Sequence, residues 1–524
     1  MFHNKYQLMR IYYFLILALV FFKCSNSDSP QDSTNTKNNI LTIHLNDKKQ
    51  TIHNFGASDA WTCKYIGQWP DEKRNQVADW LFSKELDANG QPKGIGLSLW
   101  RFNIGAGSAA QDNIGDEWRR EEGFLKDDLS YDWSKQAGQQ WFLKAAKERG
   151  TEKFLAFTNS PPVQLTKNGK AFSDDGNQAN IDATNYLPFA NYLFTVAKHF
   201  KDEGTPFDYI SPFNEPQWDW TGNGQEGSPY TNNEIVSITK ILDSVLSKNN
   251  ETTKIQIAEA GKLNYLYEEA DKQTRGDQIT KLFNSQSPLY VGGLSNVDKI
   301  ISGHSYFTTA PAETLKDVRQ NLFSKLSAAS VPLEFWQSEY CILGNDDEIE
   351  ANGKDTGMTP ALYVAKVIHH DLTVANASAW HWWLAVTVYD YKDGLIYADK
   401  NKTDGKIEDT KLLWALGNFS RFIRPGSVRI NVTSNDINLS NVNGIMASSY
   451  VDEAQHKVVT VIINYSNSDT IFKLQMDGGS VSSWQPYITG PGSDQKLKPL
   501  SLINETDSIT IPKKSVVTLV GNLE

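Results

Sequence analysis

Cysteine is scarce. Among 524 residues only Cys24, Cys63 and Cys341 carry a thiol, too few for a disulfide framework. Basic clusters are missing as well. No long Lys/Arg run occurs, and 51 basic residues face 62 acidic ones, a net charge of -11. That balance argues against a phosphate-binding surface, so nucleic acid is not an expected partner. No internal repeat is visible. No His/Glu/Cys spacing of a metal site appears, so neither a metal nor a cofactor is expected.

What the chain has is a large core and many rings. Hydrophobic residues make up 40% and charged residues 22%, the profile of a soluble globular protein. Aromatics reach 11%, with 15 Trp and 21 Tyr. That excess favours carbohydrate contact. The length allows more than one domain, and a monomer is expected.

The N-terminus reads as an export signal. Lys5 and Arg10 precede twelve apolar residues at 11–22, too short a run to span a bilayer. Cys24 follows, then a stretch rich in Ser, Asn, Asp and Thr. A cysteine placed so resembles a bacterial lipoprotein signal, although Lys23 stands where a small residue is usual. The expectation is a signal over 1–24 and a polar linker over 25–40. The protein is then either lipid-anchored at Cys24, in the periplasm or on the cell surface, or simply secreted.

Beyond the linker, short apolar runs alternate with amphipathic stretches. Buried strands are read at 96–104, 153–158, 254–258, 298–302 and 377–383, and in the runs ending at Glu215 and Glu339. With a first strand near Phe55 this makes eight strand–helix units, which predicts a parallel sheet of the (β/α)₈ type over 55–411. From Val428 onward only short, turn-punctuated strands remain, and they predict an antiparallel β-sandwich. The fold class is thus α/β, a TIM barrel with a side domain built from 41–54 and 412–524. A buttressing role for that side domain is preferred over sugar binding.

Barrels of this kind carry their chemistry at the C-terminal strand ends. Arg101, Asn159, Glu215, Glu259, Tyr306, Glu339 and Trp382 all fall there. The run through Phe207, Tyr209 and Ile210 delivers Asn214 and Glu215, and Pro216 stops the strand. Glu339 closes a second apolar run, 333–343. Two carboxylates at strand ends among aromatics suit glycoside hydrolysis, in which one protonates the leaving oxygen and the other attacks. Arg101 and Tyr306 are candidates for holding the nucleophile ionised, and Asn214 for holding a ring hydroxyl. Asp59 and Trp61, just after a glycine-containing strand, are candidate sugar contacts, as is Asn159. His304 is either a satisfied core histidine or part of the site. Glu259 is left out of the catalytic set, paired with Lys262. Trp218 and Trp220 either pack or line a leaving-group subsite.

These motifs resemble glycoside hydrolase family 30, in the clan of (β/α)₈ retaining glycosidases. The resemblance rests on Phe55-Gly-Ala-Ser, Arg101-Phe-Asn, Asn159-Ser-Pro-Pro, Asn214-Glu-Pro, His304-Ser-Tyr, Ser338-Glu and Trp380-His-Trp-Trp-Leu. It implies Glu215 as acid/base and Glu339 as nucleophile. It also implies contacts from Arg101 and Tyr306 to the nucleophile, and Trp382 as the floor under the sugar. The chain departs from the family at Val163-Gln164 and at Trp383, where an amide is common. The run 98–108 most resembles the endo-β-1,6-galactanases. The resemblance implies an endo-acting enzyme on β-1,6-galactan side chains. β-1,6-Glucan, β-xylan, a β-glycosidase activity or a non-catalytic glycan-binding protein stand as alternatives.

Overall fold

The computed structural model describes residues 39–524. The signal over 1–24, Cys24 and most of the linker over 25–40 lie outside the described residues. Chain order begins with β1 (Asn39–Thr51), followed by β2 (Asn54–Ser58), β3 (Leu99–Asn103), β4 (Lys153–Phe157) and β5 (Tyr209–Ser211). Then come β6 (Lys254–Ala260), β7 (Val297–His304), β8 (Glu334–Glu339) and β9 (Ala379–Trp382). β2 to β9 form a closed barrel. Every neighbouring pair is parallel, and β9 closes onto β2 from Asn54↔Ala379 to Ala57↔Trp382. The strands are buried on both faces, which is why they read as unbroken apolar runs.

Helices such as Tyr186–Asp202, Asn232–Lys248 and Met358–Thr373 alternate with the strands. Asn232–Lys248 starts where the sequence signals it. Thr231 accepts from the Glu234 amide, and the Glu234 carboxylate accepts from the Thr231 amide, a capping box. Helix Lys411–Ser420 is mostly apolar and wholly buried, as a helix wedged between two layers must be. Gly417 lets it approach: a Cβ there would meet Ile95 Cγ2 and Leu497 Cδ1 at 2.7 Å. Asn418 Nδ2 then donates to Thr518 Oγ1 at 2.9 Å, joining this helix to the C-terminal strands.

Those strands make the expected β side domain. They form one curled sheet of ten strands. The sheet curls over one apolar core that includes Leu41, Ile43, Phe472, Trp484 and Leu519. β1 lies inside it and uses both edges. It pairs antiparallel with Val428–Ser434 and parallel with Thr470–Asp477. A strand from the far N-terminus can pair in parallel because no tight turn joins it to its neighbour. Cys63 and Cys341 are free, buried thiols.

Since β1 threads the C-terminal sheet, Leu41→Ala should cost about 2–5 kcal/mol, read as a lower urea midpoint. A loss under about 0.5 kcal/mol would show that β1 does not belong to that core.

Candidate active site

The site is organised from β3. It carries Arg101, whose side chain is fully buried and whose donors fan out under the barrel mouth. Nη1 donates to Glu339 Oε2 and, at 3.1 Å, to Ser58 Oγ. Nη2 donates to Asn214 Oδ1 and Glu259 Oε2, both at 3.4 Å. The guanidinium lies 3.7 Å from the centre of the Phe157 ring. Tyr306 Oη donates to Glu339 Oε1 at 3.1 Å. Both oxygens of Glu339, the last residue of β8, therefore accept a hydrogen bond.

Glu215 sits across from Glu339 on the loop after β5, in the left-handed region at φ 43°. Non-glycine residues rarely rest there. Its amide donates to Glu259 O at 2.9 Å, and its own carbonyl accepts from the Trp218 amide and from Trp220 Nε1. Burial raises the Glu215 carboxyl above its usual range, with the charge of Glu339 adding to the effect. The hydrogen bond and charge of His304 oppose it. An oxygen of Glu215 and one of Glu339 lie within 4.8 Å.

His304 ends β7 with no exposed surface. Its Nδ1 lies 2.9 Å from Glu215 Oε1 and its Nε2 2.9 Å from Glu259 Oε2. Burial disfavours the charged ring, but the carboxylates of Glu339, Glu215 and Glu259 outweigh it and push His304 up to about 10. An imidazolium then donates to both neighbours. Glu259 is its counterpart. Burial pushes this carboxyl up, yet Arg101 and His304 hold it at about 2, and Ser338 Oγ donates to it at 2.7 Å. Two cations, Arg101 and His304, thus face three carboxyl groups, of which burial raises that of Glu215. His304, Glu215 and Glu339 also bring three metal-type donor atoms within 4.8 Å. Both ring nitrogens and both Glu339 oxygens already have partners in the protein.

The carboxylates open into a cavity of about 710 Å³. Asn159, Asn214, Tyr306 and Trp61 line it, as the sequence suggests. Trp61 meets Trp383 edge to face at 5.2 Å. Trp218, Trp220 and Phe307 form the wall beside Glu215. Two expected contacts sit elsewhere. Asp59 is buried, and its Oδ1 accepts from the Asn103 amide at 2.8 Å, so it braces the backbone and does not line the cavity. Trp382 is fully buried and stacks on Trp380, with its indole donating to Asp393 O at 3.0 Å. The indole in the cavity wall is that of Trp383, because neighbours at a strand end face opposite sides.

Sequence reasoning passed over Glu259, Arg119, Tyr389 and Asp393. Glu259 does not pair with Lys262, whose ammonium lies over the rings of Trp218, Tyr265 and Phe307. The signal for Glu259 was its place at the end of a buried strand, the same signal that marked Glu339. The others lie on long loops, after β3 and β9, where periodicity carries no information.

Comparison with known proteins agrees with this geometry. A family model described as O-Glycosyl hydrolase family 30 matches residues 38–397. The sequence is 24% identical over 493 residues to Glucuronoxylanase XynC of Bacillus subtilis (strain 168), covering 92% of each chain. It is 26% identical over 245 residues to an Exo-beta-1,6-galactobiohydrolase of Bifidobacterium longum subsp. longum, covering 40% of this chain and 15% of that one. The structure resembles that of a conserved exported protein from Bacteroides fragilis. The TM-score is 0.87 and the identity 37%, over 92% of this chain and 100% of that one. Among the described residues, no helix is long and apolar enough to cross a membrane.

The His304 cation lowers the Glu215 carboxyl, so its removal should raise it. The alkaline limb of kcat/KM reports the acid of the free enzyme. His304→Gln should move that limb to higher pH by about one unit or more. A limb that stays in place while activity falls would mean that His304 does not set the protonation of Glu215.

Proposed function

The chain belongs to O-glycosyl hydrolase family 30, and from that premise we propose a retaining endo-glycosidase acting on β-1,6-linked galactan side chains. Glu339 is the nucleophile and Glu215 the acid/base. The observation that carries the mechanism is the approach of Glu215 and Glu339 oxygens to within 4.8 Å. Double displacement needs carboxyls about 5–5.5 Å apart, whereas an inverting enzyme leaves about 6.5–9.5 Å for a water.

The steps follow from the local charges. Glu215, whose carboxyl burial raises, gives its proton to the glycosidic oxygen as Glu339 attacks the anomeric carbon. Arg101 and Tyr306 fix both Glu339 oxygens, so one oxygen need rotate little to attack. Ester formation removes the Glu339 charge, one of the influences that raise Glu215. Glu215 then becomes the base that activates water, the switch that the second displacement requires. Trp218, Trp220 and Phe307 line the cavity with Glu215 and suit the leaving-group sugars, and Trp61 and Trp383 line it as well.

The galactan reading is supported by the run 98–108 and by the likeness to the β-1,6-galactobiohydrolase. A xylan reading is favoured by the longer match to the glucuronoxylanase. Export is supported by the apolar run at 11–22 and by the likeness to an exported protein.

Hydrolysis of β-1,6-galactan, arabinogalactan protein, β-1,6-glucan and xylan side by side tests the substrate. Galactan should be cleaved fastest, and cleavage of xylan alone would overturn the galactan reading. Glu339→Ala should abolish turnover, and azide should rescue it as the α-glycosyl azide. Glu215→Ala should lose about 10²–10⁴-fold on the glycan and little on an activated aryl glycoside, giving the β-glycosyl azide. The opposite anomers would mean that the two roles are exchanged.

A further inference from the structure

One buried acid in the cavity wall takes no part in the chemistry above. Asp393 lies on the loop that follows β9, is 6% exposed and lines the same cavity as Glu215 and Glu339. Its Oδ1 has no hydrogen-bond partner within the protein. The Thr387 hydroxyl is the side chain that bonds its carboxyl. A carboxylate offers about four acceptor positions, so most of its capacity is unused. Arg119, also in the wall, favours the charged carboxyl but forms no ion pair with it among the described residues. Burial pushes the carboxyl up to about 6, against the opposing effect of Thr387, its own amide and the Arg119 charge. Buried polar groups without a protein partner ask for one from outside.

The position is built rather than incidental. The Asp393 carbonyl accepts from Trp382 Nε1 at 3.0 Å and from the Leu384 amide at 2.5 Å. The loop is thereby pinned to the end of β9. Strand Val386–Thr387 pairs in parallel with Ile396–Ala398 just beyond it. The next residue must be glycine for this closure, since a Cβ on Gly394 would meet Thr387 Cγ2 at 2.3 Å. The carboxyl is therefore held in place before any ligand arrives, which limits the ordering cost of binding.

We propose that Asp393 is a specificity-determining residue whose carboxylate accepts a hydrogen bond from a hydroxyl of the sugar bound beside Trp383. The inference rests on the glycosidase reading above. It assigns the ligand class as a pyranoside carrying a free hydroxyl at the position that faces Asp393. Sites that bond a substrate hydroxyl reject analogues lacking it far more strongly than apolar pockets reject an added group.

The test is a cycle of enzyme and substrate changes. Wild type, Asp393→Ala and the near-isosteric Asp393→Asn are assayed on the 4-nitrophenyl glycoside of β-1,6-galactobiose. The same assays use its analogues deoxygenated one position at a time in the ring next to the nitrophenol. Asp393→Ala should lower kcat/KM on the full substrate on the order of 10–100-fold, with Asp393→Asn between it and wild type. On one deoxy analogue the three proteins should agree within about threefold. An equal loss on every analogue, or a loss under about threefold on the full substrate, would overturn the proposal. If wild type cleaves only xylan or β-1,6-glucan, the same cycle on that sugar's deoxy series decides. If wild type cleaves no glycan, the glycosidase reading fails first, and the role of Asp393 with it.

Discussion

A buried guanidinium is the constraint to which the rest of the site answers. Arg101 has no exposed surface, and an unpaired cation there would be very unfavourable. It is stabilised by drawing two carboxylates, Glu339 and Glu259, and the Asn214 amide around one plane. The reverse dependence is as strong. Without Arg101 two buried carboxylates would lose their cation, a change on the order of 3–5 kcal/mol for a broken buried pair. His304 extends the arrangement from Glu259 to Glu215. Glu339 and Glu215 are thus joined by one continuous chain of contacts, not placed in two independent environments.

The barrel is what lets five residues from five strands or their ends meet in that chain. Closure from Asn54↔Ala379 to Ala57↔Trp382 points all eight strand ends to one mouth. Several residues near the mouth are held in left-handed backbone: Trp61, Glu215, Trp220, Glu259 and Phe307. Each such residue costs on the order of 1–3 kcal/mol and persists only where surrounding contacts over-determine it. At Glu215 those contacts are visible. The amide is tied to Glu259, and the carbonyl is tied to Trp218 and Trp220. The curled sheet and helix Lys411–Ser420 lie behind this frame, and Gly417 sets how closely they approach.

Much of this was legible in the sequence because burial on both faces leaves apolar runs that stop abruptly at a functional side chain. Glu215 and Glu339 stood out for that reason, and Arg101 and Tyr306 with them. The failures have physical causes. Glu259 was read as a partner of Lys262 because local charge neighbours are visible in sequence while contacts across a barrel are not. Trp382 was read as the floor under the sugar, yet it is buried and its neighbour Trp383 lines the cavity, because strand faces alternate residue by residue and the end of a strand has no pattern to fix the parity. Asp59 was read as a sugar contact because it follows a strand, but its side chain turns back to the Asn103 amide. The first strand was read into the side domain, but its two neighbours there were not, because strand order leaves no trace in periodicity.

The central claim is that Arg101 and Tyr306 select Glu339, among three buried carboxylates, as the group that bonds to sugar. An activated 2-deoxy-2-fluoro-β-glycoside slows breakdown of a covalent intermediate and lets it accumulate. Mass spectrometry of the digested protein after such treatment should find one added fluoroglycosyl group, on the peptide containing Glu339. A label on Glu215 or Glu259, or turnover without any covalent label together with inverted product, would contradict the account.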